Sequence, residues 1–108
     1  MPAQSEVQFA IIDAATLGDN TLVAAVTGKR IRVLSLYLVA SGGAITIRFE
    51  SGAGGTALSG QMAFLANGVL SLPYNPAGWF QTAAAVLLNL ELSAATSVDG
   101  GLTYVEVE

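Results

Sequence analysis

The chain of 108 residues is long enough for one hydrophobic core and too short for a second. It has no histidine and no cysteine, which excludes the usual zinc, copper and iron sites and the common histidine-activated serine or cysteine nucleophile. Apolar residues make up 53% and charged ones only 11%, with a net charge of −4, so direct contact with nucleic-acid phosphates is not expected.

Folded alone, a chain of this size presents on the order of 5,600 Å² of surface, which four basic and eight acidic side chains must keep soluble. An apolar excess of this kind points to a membrane span, a long buried element or a subunit interface. The purest apolar runs, residues 33–40 and 83–88, fall far short of the roughly 20 residues a spanning helix needs. An interface is the remaining expectation. The start, Met1 to Glu6, shows neither a positive flank nor an apolar stretch, so no secretory signal is visible and synthesis in a cytoplasm is expected.

Glycine-rich punctuation recurs at short intervals, at 18–20, 27–28, 41–43, 51–55, 67–68, 75–78 and 99–101, and separates runs of strand length. The predicted strands are 7–13, 21–26, 30–40, 44–50, 61–65, 69–72, 86–93 and 102–107. About eight strands without a helix predict an all-β fold, a single jelly-roll-like antiparallel β-sandwich. Residues 1–8 form a polar N-terminal arm and 9–108 the sandwich. The first long strand is apolar on both sides, with Ile31, Val33, Tyr37 and Val39 on one face and Leu34, Leu36 and Leu38 on the other. A doubly apolar strand requires its outer face to be covered by a crossing segment or a second subunit. Gly42-Gly43 predicts a hairpin joining it to the next strand, where Ile45, Ile47 and Phe49 face inward and Thr46, Arg48 and Glu50 outward.

Residues 81–88 are alanine-rich and could begin as a helical turn. Beyond them Val86, Leu88, Leu90 and Leu92 predict an inward face, with Leu87, Asn89 and Glu91 on the reverse. In the last strand Leu102, Tyr104 and Glu106 alternate with Thr103, Val105 and Val107, and a final strand of that kind belongs in the middle of a sheet.

The chemistry-bearing groups are few. Arg30, Arg32 and Arg48 could make a basic strip if the hairpin aligns them; the plainer expectation is pairing with Glu50, Glu91 or Glu106. Eight carboxylates permit a paired-acid hydrolase, but no spacing singles out a pair, and a Ser-Lys nucleophile would have to recruit Lys29, the single lysine. Calcium is conceivable around Asp19-Asn20 or Asp99, yet neither has the acidic density of a known loop, and Asp13, Asp19 and Asp99 are better read as turn formers. The expectation is therefore no catalytic residues, no metal and no cofactor. Tyr74-Asn75-Pro76-Ala77-Gly78-Trp79-Phe80 delivers aromatics on a proline and glycine turn, as a carbohydrate platform, a protein-contact site or a plug for the core.

Residues 19–34, 44–49, 75–80 and 101–105 together resemble small virion proteins of tailed bacteriophages, above all their β-sandwich capsid decoration, or cement, proteins. The resemblance implies a homotrimer on the exterior of the phage head, made in the host bacterial cytoplasm. It implies contact with the major capsid protein, with neither nucleic acid nor membrane as partner. The N-terminal arm, Pro2, Gln4, Glu6 and Gln8, is the implied capsid contact. Leu34, Leu36 and Leu38, with Trp79 and Tyr104, are the expected trimer interface. Related modules in head fibres and tails imply the alternative, a binding module for a host surface glycan resting on Tyr74 and Trp79.

Overall fold

A computed structural model describes residues 6–108. Ten strands follow in chain order: β1 (Gln8–Ala14), β2 (Gly18–Val23), β3 (Arg30–Val39), β4 (Ile45–Ser51), β5 (Thr56–Ala57), β6 (Met62–Phe64), β7 (Val69–Leu72), β8 (Phe80–Gln81), β9 (Leu88–Leu92) and β10 (Val98–Val107). They form two antiparallel sheets of five, β1-β10-β3-β7 with β8 also on β3, and β2-β9-β4-β5 with β6 also on β4. Among the described residues there is no helix. The all-β sandwich is as expected, and its strand order is that of a jelly roll. Ten strands stand for the expected eight because two edge positions are each filled by two short pieces: β7 and β8 along β3, and β5 and β6 along β4.

The facing sides of the sheets build one core, in which Ile12, Ile31, Val33, Leu36, Leu38, Ile47, Phe49, Leu88, Leu90, Leu92 and Leu102 are all but fully buried. The alternation read for 44–50 holds, with Ile45, Ile47 and Phe49 buried, and that read for 86–93 holds from Leu88 on, with Leu88, Leu90 and Leu92 beside them; Val86, expected inward with them, lies ahead of β9, half-buried and outside the core cluster. Phe80 closes on Phe49, with ring centroids 4.9 Å apart.

The two-faced reading of residues 30–40 is corrected by a bulge. Thr103 pairs with Ser35 and Tyr104 with Val33, so Leu34 is skipped and the strand changes phase there. Ile31 and Val33 before it and Leu36 and Leu38 after it all join the core, while Tyr37 is 55% exposed. Leu34 is buried apart from that core cluster. It lies against the segment between β7 and β8, where the Asn75 amide bonds the Leu34 carbonyl at 2.8 Å and the Trp79 amide bonds that of Val33 at 2.8 Å.

The hairpin across Gly42-Gly43 is also corrected: β3 and β4 lie in different sheets, so the connection crosses the sandwich. Gly42 serves it by close approach rather than by turn geometry. Its amide bonds the Ser97 carbonyl at 3.0 Å, and a Cβ there would stand 2.4 Å from the Ser97 nitrogen. Asp13, Asp19 and Asp99, read as turn formers, sit in β1, β2 and β10: Asp13 falls within the strand expected at 7–13, while β2 and β10 begin earlier than the glycine punctuation suggests.

The final strand is central as expected, with β10 pairing along β1 on one side and β3 on the other. Two glycines at its heart test this packing. A Cβ on Gly100 would stand 2.0 Å from the Tyr37 carbonyl oxygen and 2.7 Å from the Leu38 Cα, whereas one on Gly101 would meet only the ends of the Tyr37 and Phe9 side chains at 2.8–2.9 Å. Backbone cannot step aside as a side chain can. Gly100→Ala is expected to lose at least ~3 kcal/mol in urea denaturation and Gly101→Ala less than ~1.5 kcal/mol. Equal costs would place β10 outside the sheet centre.

Candidate functional site

The two outer faces of the sandwich differ in kind. On the β1-β10-β3-β7 sheet, the register sets Phe9 opposite Thr103 and Ser35; Ile11 opposite Gly101, Tyr37 and Ser71; and Asp13 opposite Asp99, Val39 and Val69. Phe9 (58% exposed), Ile11 (70%), Tyr37 (55%) and Val69 (67%) make this face apolar. Gly101 is what brings Phe9 and Tyr37 together, since the ring of one and the hydroxyl of the other lean over the space a side chain would fill. The polar atoms at the centre satisfy each other: Ser35 and Thr103 hydroxyls are 2.6 Å apart. Charge is confined to the ends of the face, with Arg30 and Arg32 beyond the bulge and Asp13 and Asp99 at the opposite limit. Four strands about 4.8 Å apart, of seven, ten, ten and four residues, offer about 500 Å² of face, more than half of the ~800 Å² per partner of a standard specific interface.

The expected interface residues fare differently. Leu34, Leu36 and Leu38 are no more than 2% exposed within a single chain, because of the bulge, and are unavailable to a second one. Tyr104 faces the core end of β10, where its hydroxyl donates to Gln8 Oε1 at 3.1 Å and Gln8 Nε2 donates to Glu106 at 3.2 Å. Gln8 is thus the first residue of β1 and not part of an arm. Glu6 is exposed ahead of the strand; Pro2 and Gln4 lie outside the described residues. Trp79 remains partly exposed at 42%, its indole N–H donating to the Pro73 carbonyl at 2.8 Å, and Tyr74 is 63% exposed on the same excursion between β7 and β8. The residues missed at sequence level are Phe9, Ile11 and Tyr37. The alternation of β1 places Phe9 and Ile11 on one face, but only the pairing with β10 sets them beside Tyr37.

The outer face of β2-β9-β4 is polar. Asp19, Glu91 and Arg48 stand in one cross-strand row, and Thr21, Asn89 and Glu50 in the next on the same side. No basic strip forms, since Arg48 lies on this sheet and Arg30 and Arg32 on the other; the plainer reading of Arg48 holds. Its guanidinium bonds Glu50 through Nε at 3.0 Å and reaches Glu91 at 3.4 Å, and the bond to Glu50 raises the Arg48 pKa against the opposing effect of burial. Arg32 instead donates to Gln81 at 2.8 Å. Glu50 is fully buried even though it faces outward. Its second oxygen accepts from Asn89 Nδ2 at 2.8 Å, and the same nitrogen donates to Asp19 Oδ1 at 2.9 Å. Asn89 Oδ1 is buried with no hydrogen-bond partner among the described residues, an arrangement that costs about 1–3 kcal/mol.

No known protein family matches this sequence, and no curated protein does. A chain in a solved structure of Bacillus endospore appendages, described as a novel family of disulfide-linked pili, is similar in fold. The TM-score is 0.52 at 19% identity, over 97% of this chain and 90% of that one. At this identity the likeness speaks for the sandwich fold alone.

Tyr104 supplies a pH test of the core end of β10. Burial, and then the nearby negative charge of Glu106, raise its phenol pKa above the usual value near 10. The folded state therefore holds this proton more tightly than the unfolded chain. The resulting stability is complete below pH ~10 and is lost as pH rises through the raised folded value. Denaturation midpoints between pH 9 and 11.5 are expected to fall less steeply for Tyr104→Phe than for the parent chain.

Proposed function

We propose that the protein is a non-enzymatic structural subunit that docks through the outer face of its β1-β10-β3-β7 sheet. In the form implied by its resemblance to phage virion proteins, it is a capsid decoration protein, a homotrimer bound to the major capsid protein on the exterior of the head. The observation that carries this reading is the apolar surface of Phe9, Ile11, Tyr37 and Val69 on a sheet face that carries charge only at its ends. Exposed apolar patches on small soluble domains mark sites of protein contact. With no cysteine in these 108 residues, neighbours must be held by packing and hydrogen bonds.

Sedimentation of the protein is expected to give three times the 11.0 kDa chain mass at micromolar concentration. Ile11→Asp with Tyr37→Asp puts two charges on the face without touching the core, so the variant is expected to sediment as a folded monomer. Added to undecorated phage heads, the parent trimer is expected to co-sediment with them and raise the temperature of DNA release. A compact 11.0 kDa monomer from the parent chain sinks the docking reading.

A second reading has one specific observation in its favour, the exposure of both Tyr74 and Trp79 on the excursion between β7 and β8. Aromatics so placed are the platform a host surface glycan requires. Glycan-array binding lost in Tyr74→Ala with Trp79→Ala, without any head binding by the parent, selects the head-fibre or tail module over the decoration protein.

A further inference from the structure

We propose that Asp19, Glu50 and Glu91, with Asn89, bind one calcium ion on the outer face of the β2-β9-β4 sheet. The site lies on the opposite sheet from the docking face and does not depend on that reading.

Four observations meet here. First, one carboxylate oxygen from each of the three acids lies within 4.8 Å of the others. Two oxygens on a common calcium ion can stand up to about 5.2 Å apart, twice its longest usual bond, but only about 4.2 Å apart on magnesium. The spacing lies within the reach of two calcium bonds, and calcium tolerates irregular coordination where magnesium demands a near-octahedral shell and sheds its water reluctantly. Second, three carboxylates against the single guanidinium of Arg48 leave a formal charge of −2, which a divalent cation balances. Arg48 is spent on Glu50 and Glu91, while among the described residues the donors to Asp19 Oδ1 are neutral, Asn89 Nδ2 and the Gly54 amide at 3.1 Å.

Third, the donors come from three neighbouring strands whose pairing holds them in place. Asp19 is opposite Glu91, and Asn89 is opposite Glu50, in adjacent rows of one face. Fourth, the Asn89 side chain is fully buried, its amide reaches between Asp19 and Glu50, and its Oδ1 has no partner among the described residues. A buried acceptor in that position needs a donor. Calcium takes six to eight oxygens and completes its shell with water. A water on the ion, polarised by it, is the donor that Asn89 Oδ1 lacks. The carboxylates thus bind the metal and the asparagine binds its water.

The test is a two-dimensional amide NMR titration of the full chain, stripped with chelator, with calcium chloride and in parallel with magnesium chloride. The Gly54 amide and the Asn89 side-chain NH₂, both bonded to Asp19, are the site reporters. They are expected to shift and saturate with a Kd of about 10⁻⁴–10⁻³ M for calcium, and at least tenfold weaker for magnesium. The melting midpoint is expected to rise by about 6–12 °C at 10 mM calcium. Asp19→Asn with Glu91→Gln, both at positions open to solvent, is expected to stay folded and lose both responses; Glu91→Gln alone is expected to weaken them at least fivefold. Absence of shift at these reporters in the parent chain up to 10 mM calcium overturns the proposal. So does an undiminished response in the double variant, or magnesium binding as tight as calcium.

Discussion

The bulge at Leu34 is the constraint from which the surfaces of this molecule follow. In a strand a slip of one residue moves every side chain to the other face. Without the skipped residue, a β3 in phase with Leu36 and Leu38 would turn Ile31 and Val33 outward. With it, all four enter the core, and the outer row becomes Arg30, Arg32, Ser35, Tyr37 and Val39. The bulged residue is also the anchor for the excursion between β7 and β8, whose Asn75 amide takes the Leu34 carbonyl. One irregular residue thus sets which apolar groups are spent on the core, which remain for a partner, and where Tyr74 and Trp79 are displayed.

Around that strand the sandwich gives its two exteriors different chemistry. The β1-β10-β3-β7 face is built on β10, whose Gly100 and Gly101 permit two kinds of close approach. At the first, the β3 backbone lies where a side chain would be; at the second, Phe9 and Tyr37 close over the gap. The β2-β9-β4 face carries Asp19, Asn89, Glu91, Arg48 and a buried Glu50. A buried carboxylate is tolerable only when paired, and here the guanidinium and the asparagine amide share that task. Packing can drive association on the first face, while on the second only polar or ionic ligands are favoured.

Much of the architecture was legible along the chain. The positions of Ile45, Ile47 and Phe49, and of Leu88, Leu90 and Leu92, follow from alternation alone, because a half-buried strand writes its period of two directly into the sequence. Of the candidate site less was legible. Phe9 and Ile11 carry no interface signal in the sequence and are 58% and 70% exposed; Leu36 and Leu38 read as an interface and are buried. The short strands Thr56–Ala57 and Phe80–Gln81 carry no periodic signal, since two residues cannot display a period, and exist only because β4 and β3 offer them an edge.

What the sequence by itself determined is local: a cysteine-free and histidine-free all-β domain, the faces of its regular strands, and the glycines at which the chain can turn or be approached. Tertiary structure alone decided which strands are neighbours. It sent β3 and β4 to opposite sheets where a hairpin was expected, separated Arg48 from Arg30 and Arg32, and brought Asp19, Glu50 and Glu91 from three distant parts of the chain to one place. The physical reason is that strand pairing satisfies backbone groups that are the same in every residue. Which strands meet is therefore settled by how the whole core closes, and no short stretch of side chains encodes it.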